Sequence, residues 1–293
     1  MNLLKYKQYE PIYVIGHSSP DIDAIVSSKI LSNILNKLGI KAYQCILDEN
    51  YEIDEYNMNM IKDCMDDFNP TIIKKSDIYN HNFFLIDHND RMQSVGKIAN
   101  VIASIDHHPN AYNVDDVTLS DICSISLYLY SEFKNIYEFS KEEKKQIYYA
   151  FLNDSMYGKA SRYKESDGLL ADELGFGHDY DKYFKKYFIP TNLSNGIESM
   201  LYNGLKKYQF DDVHFEGGYI ETYGTDGLEE YRKIISNTTN FFGRWVDVKN
   251  EKTYVIFNFE NKIKEFNYNF IASRSTTILN DVIQYLKEEG YLK

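Results

Sequence analysis

The chain has 293 residues, of which 43% are hydrophobic and 15% aromatic, so wholesale disorder is excluded and there is material for one large domain or two. Lys and Arg number 32 against 44 Asp and Glu, a formal net charge of −12. A protein that neutralises nucleic-acid phosphates with its own side chains leans basic, so that class is disfavoured, and any anionic substrate must be held by a local group of cations or by metal ions.

Ile12 to Ile15 is a compact apolar run closed by Gly16, the form of a buried parallel strand. From Asp23 the pattern turns helical, with Ile25, Ile30, Leu31, Ile34, Leu35 and Leu38 on one face and Gly39 as the residue that ends the helix. Lys41 to Leu47 reads as a second strand. Phe83 to Ile86 and Val101 to Ile105 read as two more, each followed at once by acidic and His residues. Ser140 with Glu143 is a capping box that opens a helix through Leu152. Strands alternating with helices predict an α/β domain, doubly wound around a mostly parallel sheet.

The texture changes at Phe188 to Gly196, where Pro190, Asn192, Ser194, Asn195 and Gly196 are turn formers. Beyond it the chain reads as a smaller α+β unit. Ile197 to Tyr208 is predicted helical, Tyr219 to Tyr223 a strand and Leu228 to Phe242 a helix. Tyr254 to Phe259 is predicted as a strand, Phe270 to Ser273 as extended, and Ser275 to Leu292 as an amphipathic helix. The domain assignment is therefore 1–189, a linker at 190–196, and 197–293.

The cysteines, Cys45, Cys64 and Cys123, are odd in number and widely spaced. That argues against a disulfide framework or a Cys-type zinc site and predicts free thiols in a reducing cytoplasm. No apolar run approaches the ~18 residues of a membrane span, and Lys5, Lys7 and Glu10 interrupt the N-terminus before a signal sequence could form.

Four segments concentrate chemistry: Gly16 to Asp23 (GHSSPDID), Asp87-His88-Asn89, Asp106-His107-His108 and Asn153-Asp154-Ser155. Three follow a predicted parallel strand at its carboxyl end, where open α/β sheets bind ligands, and the fourth ends a predicted helix. Taken singly, each has an ordinary structural explanation; Asp23, for instance, would serve as a helix N-cap. Together they predict a two-metal site. Carboxylate and imidazole without thiolate suit Mn²⁺, Co²⁺ or Mg²⁺. Two such ions ~3.5–4 Å apart can lower the pKa of a shared water and clamp both ends of a phosphoryl displacement. They would also supply the positive potential that an acidic chain lacks.

At these residues the sequence resembles the DHH phosphoesterase superfamily and, within it, most resembles the manganese-dependent (family II) inorganic pyrophosphatases. GHSSPDID is similar to that family's opening GHxxPDxD. Ile86 to Val95 (IDHNDRMQSV) resembles its second motif, and Ile105 to His108 (IDHH) is its signature. Cys123 to Ser126 and Asn153 to Ser155 also match, while the last ~100 residues match mainly at Ser273-Arg274.

The resemblance implies a DHH-type catalytic domain, with the smaller C-terminal domain closing over the cleft and acting as a substrate clamp. His17 and Asp21 would ligate the first metal. Asp23, His107 and Asp154 would ligate the second, and Asp87 would bridge them. His108 would contact the substrate or leaving group, Asp106 would orient an imidazole, and His88 would stand near the metals without ligating them. Arg274 would clamp phosphate, with Lys206 as a second cation and Lys207 as its register alternative. The implied cofactors are two divalent ions, Mn²⁺ preferred. The implied partner is a small phosphorylated substrate, with neither membrane nor nucleic acid, and a homodimer stays open.

Three departures from the family pattern fall on the clamp. Pro109 follows the DHH where the family places Arg. Ser275 and Thr276 follow Ser-Arg where it places two lysines. Gly204 stands two residues before Lys206 where it places Asp. Each lost charge-assisted phosphate contact is worth ~1.5–3 kcal/mol. The leading expectation is hydrolysis of inorganic pyrophosphate. The alternatives are a DHH phosphodiesterase or exopolyphosphatase acting on a (cyclic) nucleotide or polyphosphate, with Tyr254, Phe257, Phe266 and Tyr268 as a base-stacking surface, and a non-catalytic metal-binding regulatory protein.

Overall fold

A computed structural model describes residues 1–48, 53–108, 113–177, 179–188, 196–203 and 205–292. The chain divides into two compact units. One comprises Met1–Gly158 and Tyr163–Tyr183, and the other comprises Lys159–Arg162 and Phe184–Lys293. The division thus falls ahead of the expected linker, of which residues 190–195 lie outside the described residues. No helix among the described residues is long and apolar enough to cross a membrane.

The first unit is built on strands β1 (Ile12–Ile15), β2 (Ala42–Leu47), β3 (Thr71–Ile73), β4 (Asn82–Ile86), β5 (Asn100–Asp106) and β6 (Val117–Leu119). All pairings are parallel, in the order β3-β2-β1-β4-β5-β6. The order reverses between β1 and β4, the topological switch point where doubly wound sheets bind ligands.

Helix α1 (Ile22–Lys37) packs on one side of this sheet, and α2 (Glu55–Cys64), α3 (Ile125–Phe133) and α4 (Lys141–Asp154) pack around α1. The other side is closed by short turns: Ile78, Val95 and Ala99 pack there with Ile15, Phe83 and Leu85. The α4 capping box forms as read, with Ser140 and Glu143 each satisfying the other's backbone N–H. Helix α1 starts one residue earlier than expected, its cap is Asp21 rather than Asp23, and Gly39 follows with φ +76°. Gly16 is needed for close approach, because a Cβ there would stand 2.8 Å from Ala24 Cβ. Two short helices, α5 (Glu165–Asp172) and α6 (Tyr180–Tyr183), complete the unit. Cys45, Cys64 and Cys123 are buried and not joined in a disulfide, and burial pushes the Cys64 thiol up to about 12.

The second unit departs further from the sequence reading. It holds α7 (Ile197–Asn203), β7 (Lys206–Phe210), β8 (Val213–Thr222), α8 (Leu228–Ser236), β9 (Phe241–Asp247), β10 (Lys252–Phe259), β11 (Lys262–Tyr268) and α9 (Leu279–Glu288), the last preceded by a π-turn at Arg274–Ile278. The strands form one mixed sheet in the order β11-β10-β9-β8-β7, with only β8 and β9 parallel.

The helix expected over Ile197 to Tyr208 ends by Asn203, and Lys206 lies on a strand. The helix expected over Leu228 to Phe242 ends at Ser236, and Phe241 opens the fully buried β9. The extended segment expected at Phe270 to Ser273 is not a strand; β11 lies just before it. Helices α7 and α8 bury Leu201, Tyr231 and Ile235 on one face with Trp245. Helix α9 buries Val282 and Leu286 on the other with Phe215, Phe242 and Phe257. Of the aromatic residues considered for base stacking, Phe257 is buried in these packed faces, while Phe266, Tyr268 and Tyr254 pack against them partly buried.

Candidate metal centre

Three of the four segments emerge from adjacent strand ends. His17 and Asp21 follow β1, Asp87 follows β4, and Asp106 to His108 end β5. Asp154 arrives as the last residue of α4. The loops are tied together by backbone bonds: Ser18 N donates to Gln93 O at 2.8 Å and Asp87 N to Ile105 O at 2.9 Å. Asp87 has φ +60°, a left-handed conformation that aspartate tolerates better than most residues and that marks functional turns.

These side chains converge. His17 Nε2 lies 4.0 Å from Asp21 Oδ2 and 3.8 Å from Asp87 Oδ2. His107 Nε2 lies 3.1 Å from Asp87 Oδ1 and 3.8 Å from Asp154 Oδ2. Ligand atoms of His17, Asp21 and Asp87 lie within 4.8 Å of one another. So do those of Asp23, Asp87 and Asp154, and those of Asp87, Asp106, His107 and His108. Asp87 is common to all three groups. Asp23 and Asp87 are 0% and 2% exposed, so the second group is a knot of carboxylates withdrawn from water. Like charges at that spacing repel, and burial removes the solvent that would screen them. A hard divalent cation answers both costs, and an oxygen-rich set with imidazole suits Mn²⁺ or Mg²⁺. The residues present fit such ions.

Asp23 carries a second duty that the sequence reading missed. Its carboxylate accepts from Ser124 Oγ at 2.9 Å, Ile125 N at 2.6 Å and Ser126 N at 3.0 Å, closing the N-terminus of α3. Burial, and then the charge of Asp21, pushes its carboxyl above the usual range, against the pull of these donors.

Asp106 is buried, and its Oδ1 accepts from His107 N at 2.7 Å and His108 N at 3.1 Å while facing His108 Nδ1 at 2.8 Å. The imidazole it orients is therefore His108, which keeps Nδ1 protonated and leaves Nε2 for other partners. His88 is held apart by Ile86 O at 2.9 Å from Nδ1 and Ser94 Oγ at 2.7 Å from Nε2. Asp106→Asn should preserve metal content but cut turnover ~10–100-fold and shift its pH profile, since the His108 tautomer loses its anchor. Metal analysis beside kcat against pH checks this.

Residues 11–157, half of the chain, match the family model described as the DHH family, N-terminal domain. The chain belongs to the DHH family. A protein of Methanothrix thermoacetophila named manganese-dependent inorganic pyrophosphatase is 25% identical over 240 residues, covering 76% of this chain and 74% of that one. A Bacillus cereus protein, named "Probable manganese-dependent inorganic pyrophosphatase", is 28% identical over 246 residues, 78% of this chain and 77% of its own. Among solved structures, a Methanococcus jannaschii protein bearing a family II inorganic pyrophosphatase name superposes with a TM-score of 0.75 at 16% identity, over 92% of this chain and 97% of that one. The last comparison carries the fold of this DHH protein alone. Pro109 and Gly204, two of the departures from the family pattern, lie outside the described residues.

Lys206 and Arg274, the residues expected to hold phosphate, both belong to the second unit. Lys206 pairs with Gly217, which puts it on the sheet face of Tyr219 and Arg244. Lys207 points to the opposite face, where its ammonium lies 3.5 Å from Glu216. Arg274 opens the π-turn behind its cap Ser273, with its guanidinium 4.8 Å from the centre of the Tyr219 ring.

Proposed function

We propose that this chain is a divalent-metal-dependent phosphohydrolase that cleaves a phosphoanhydride, inorganic pyrophosphate first among them. The observation that carries the reading is the single buried carboxylate of Asp87, shared by two carboxylate–imidazole groups and one group of carboxylates alone. One ion would rest on His17, Asp21 and Asp87, the other on Asp23, Asp87, His107 and Asp154. When bound, such ions supply Lewis-acid polarisation of phosphoryl oxygens and a water of lowered pKa.

The chain's own residues do the rest. Asp87 holds the two ion sites in register. Asp23, clamped by the α3 N-terminus, and Asp154, at the end of α4, fix the second site against two helices. Asp106 holds the proton on His108 Nδ1, so that the protonated ring can donate from Nε2 to the leaving phosphate oxygen. Arg274 and Lys206 bind phosphate oxygens as charge-assisted donors. The relatives named as pyrophosphatases support pyrophosphate as the substrate.

Phosphate release from pyrophosphate, tripolyphosphate and nucleotides should be measured with Mn²⁺, Co²⁺ and Mg²⁺. Manganese-dependent release from pyrophosphate is the expected result. Metal-loaded protein that releases none would overturn the reading. Arg274→Ala should raise KM and lower kcat, with a combined loss in kcat/KM of ~10–100-fold, because one charged phosphate contact is removed in both ground and transition states.

A further inference from the structure

Strand β9 is buried along its whole length, yet it carries an arginine at its centre. Arg244 is 8% exposed, and it pairs in register with Tyr219 of β8 and Val255 of β10. Among the described residues its guanidinium makes one hydrogen bond, from Nη1 to Glu221 Oε1 at 3.1 Å, and its buried Nε has no partner. A guanidinium offers five N–H donors in a planar fork, and burying most of them without acceptors is costly.

A second guanidinium adds to that cost. Arg274 lies over Tyr219, the register partner of Arg244, and its positive charge bears on Arg244. Burial lowers the Arg244 pKa against the opposing charge of Glu221, and the charge of Arg274 adds a smaller push in the same direction as burial. Lys206 shares the face. A purely structural ion pair gains nothing from further cations beside it. A fork with open donors, backed by like charge, matches the geometry of a phosphate group.

We propose that Arg244 is a phosphate-binding residue, which together with Arg274 forms an oxyanion site on the second unit's sheet and supplies the charge absent at Ser275 and Thr276. The site takes the phosphate group of an inorganic phosphate or polyphosphate. Its place in catalysis rests on the hydrolase reading; its binding of phosphate does not.

The test titrates inorganic phosphate calorimetrically into the chelator-treated full chain. The wild type should bind, Arg244→Gln should bind at least ~10-fold more weakly, and Arg244→Lys should fall between them. Glu221→Gln should bind as tightly as the wild type or more so, because it frees Nη1. Circular dichroism establishes that each variant is folded, and Arg244→Lys carries the test if the glutamine variant is not. The proposal is overturned if the folded wild type binds no phosphate, if the Arg244 variants bind like the wild type, or if Glu221→Gln weakens binding as much as Arg244→Gln. Phosphate binding that depends on Arg244, in a protein that hydrolyses nothing with Mn²⁺, would sink the hydrolase reading and leave this site standing.

Discussion

Asp87→Ala is expected to lower metal-dependent phosphate release by at least ~10²–10³-fold, the scale seen when one group that stabilises developing charge is removed. Its carboxylate reaches His107 with one oxygen and His17 with the other, at 3.1 and 3.8 Å, so it joins side chains borne by β1 and β5. No other residue of the centre belongs to every group. Metal counted by mass spectrometry should fall along with activity. The alanine also sits at a positive φ, which costs ~1–2 kcal/mol for a residue with no polar side chain to compensate. Asp87→Asn separates the two effects: asparagine accepts the left-handed conformation and keeps the shape but not the charge. It should lose activity nearly as fully while melting close to the wild type.

Asp154→Ala should remove the second ion and reduce turnover by at least ~10²-fold. The variant should also reveal the cost of the centre. Asp154 stands within 4.8 Å of the ligand atoms of Asp23 and Asp87 with its side chain 5% exposed, so the metal-free wild type carries an unfavourable cluster of negative charge. Without metal, Asp154→Ala should melt at or above the wild-type temperature. With saturating Mn²⁺ the order should reverse, because binding to the native state stabilises only the protein that retains the site. A variant that melts lower under both conditions and keeps its metal would show that Asp154 is structural.

The first unit was legible because its signals are local. Ile12 to Ile15 and Phe83 to Ile86 are uninterrupted apolar runs, and a strand buried on both faces must read that way. The metal-binding candidates cluster for the same reason: a parallel sheet delivers the residues after each strand to one edge. The second unit hid its strands. β7 (KKYQF) and β11 (KIKEFNY) expose one face and alternate, so their mean character is polar and passes for helix or loop. β9 follows α8 after four residues, and its apolar start extends the helical pattern into Phe242.

The misread helix concealed Arg244, whose one sequence signal was a charge inside the run Phe241 to Val246. The bond from Asp23 to the α3 N-terminus spans about a hundred positions and leaves no local trace. Asp21 and Asp23 are equally good caps by composition, and only the turn geometry assigns one to its own helix and the other to a distant one.

The most direct measurement is anomalous diffraction at the manganese edge from crystals grown with Mn²⁺. The account predicts two peaks sharing Asp87, one beside His17 and Asp21 and the other beside Asp23, His107 and Asp154. A single peak remote from Asp87, or none in protein that hydrolyses pyrophosphate, would contradict it.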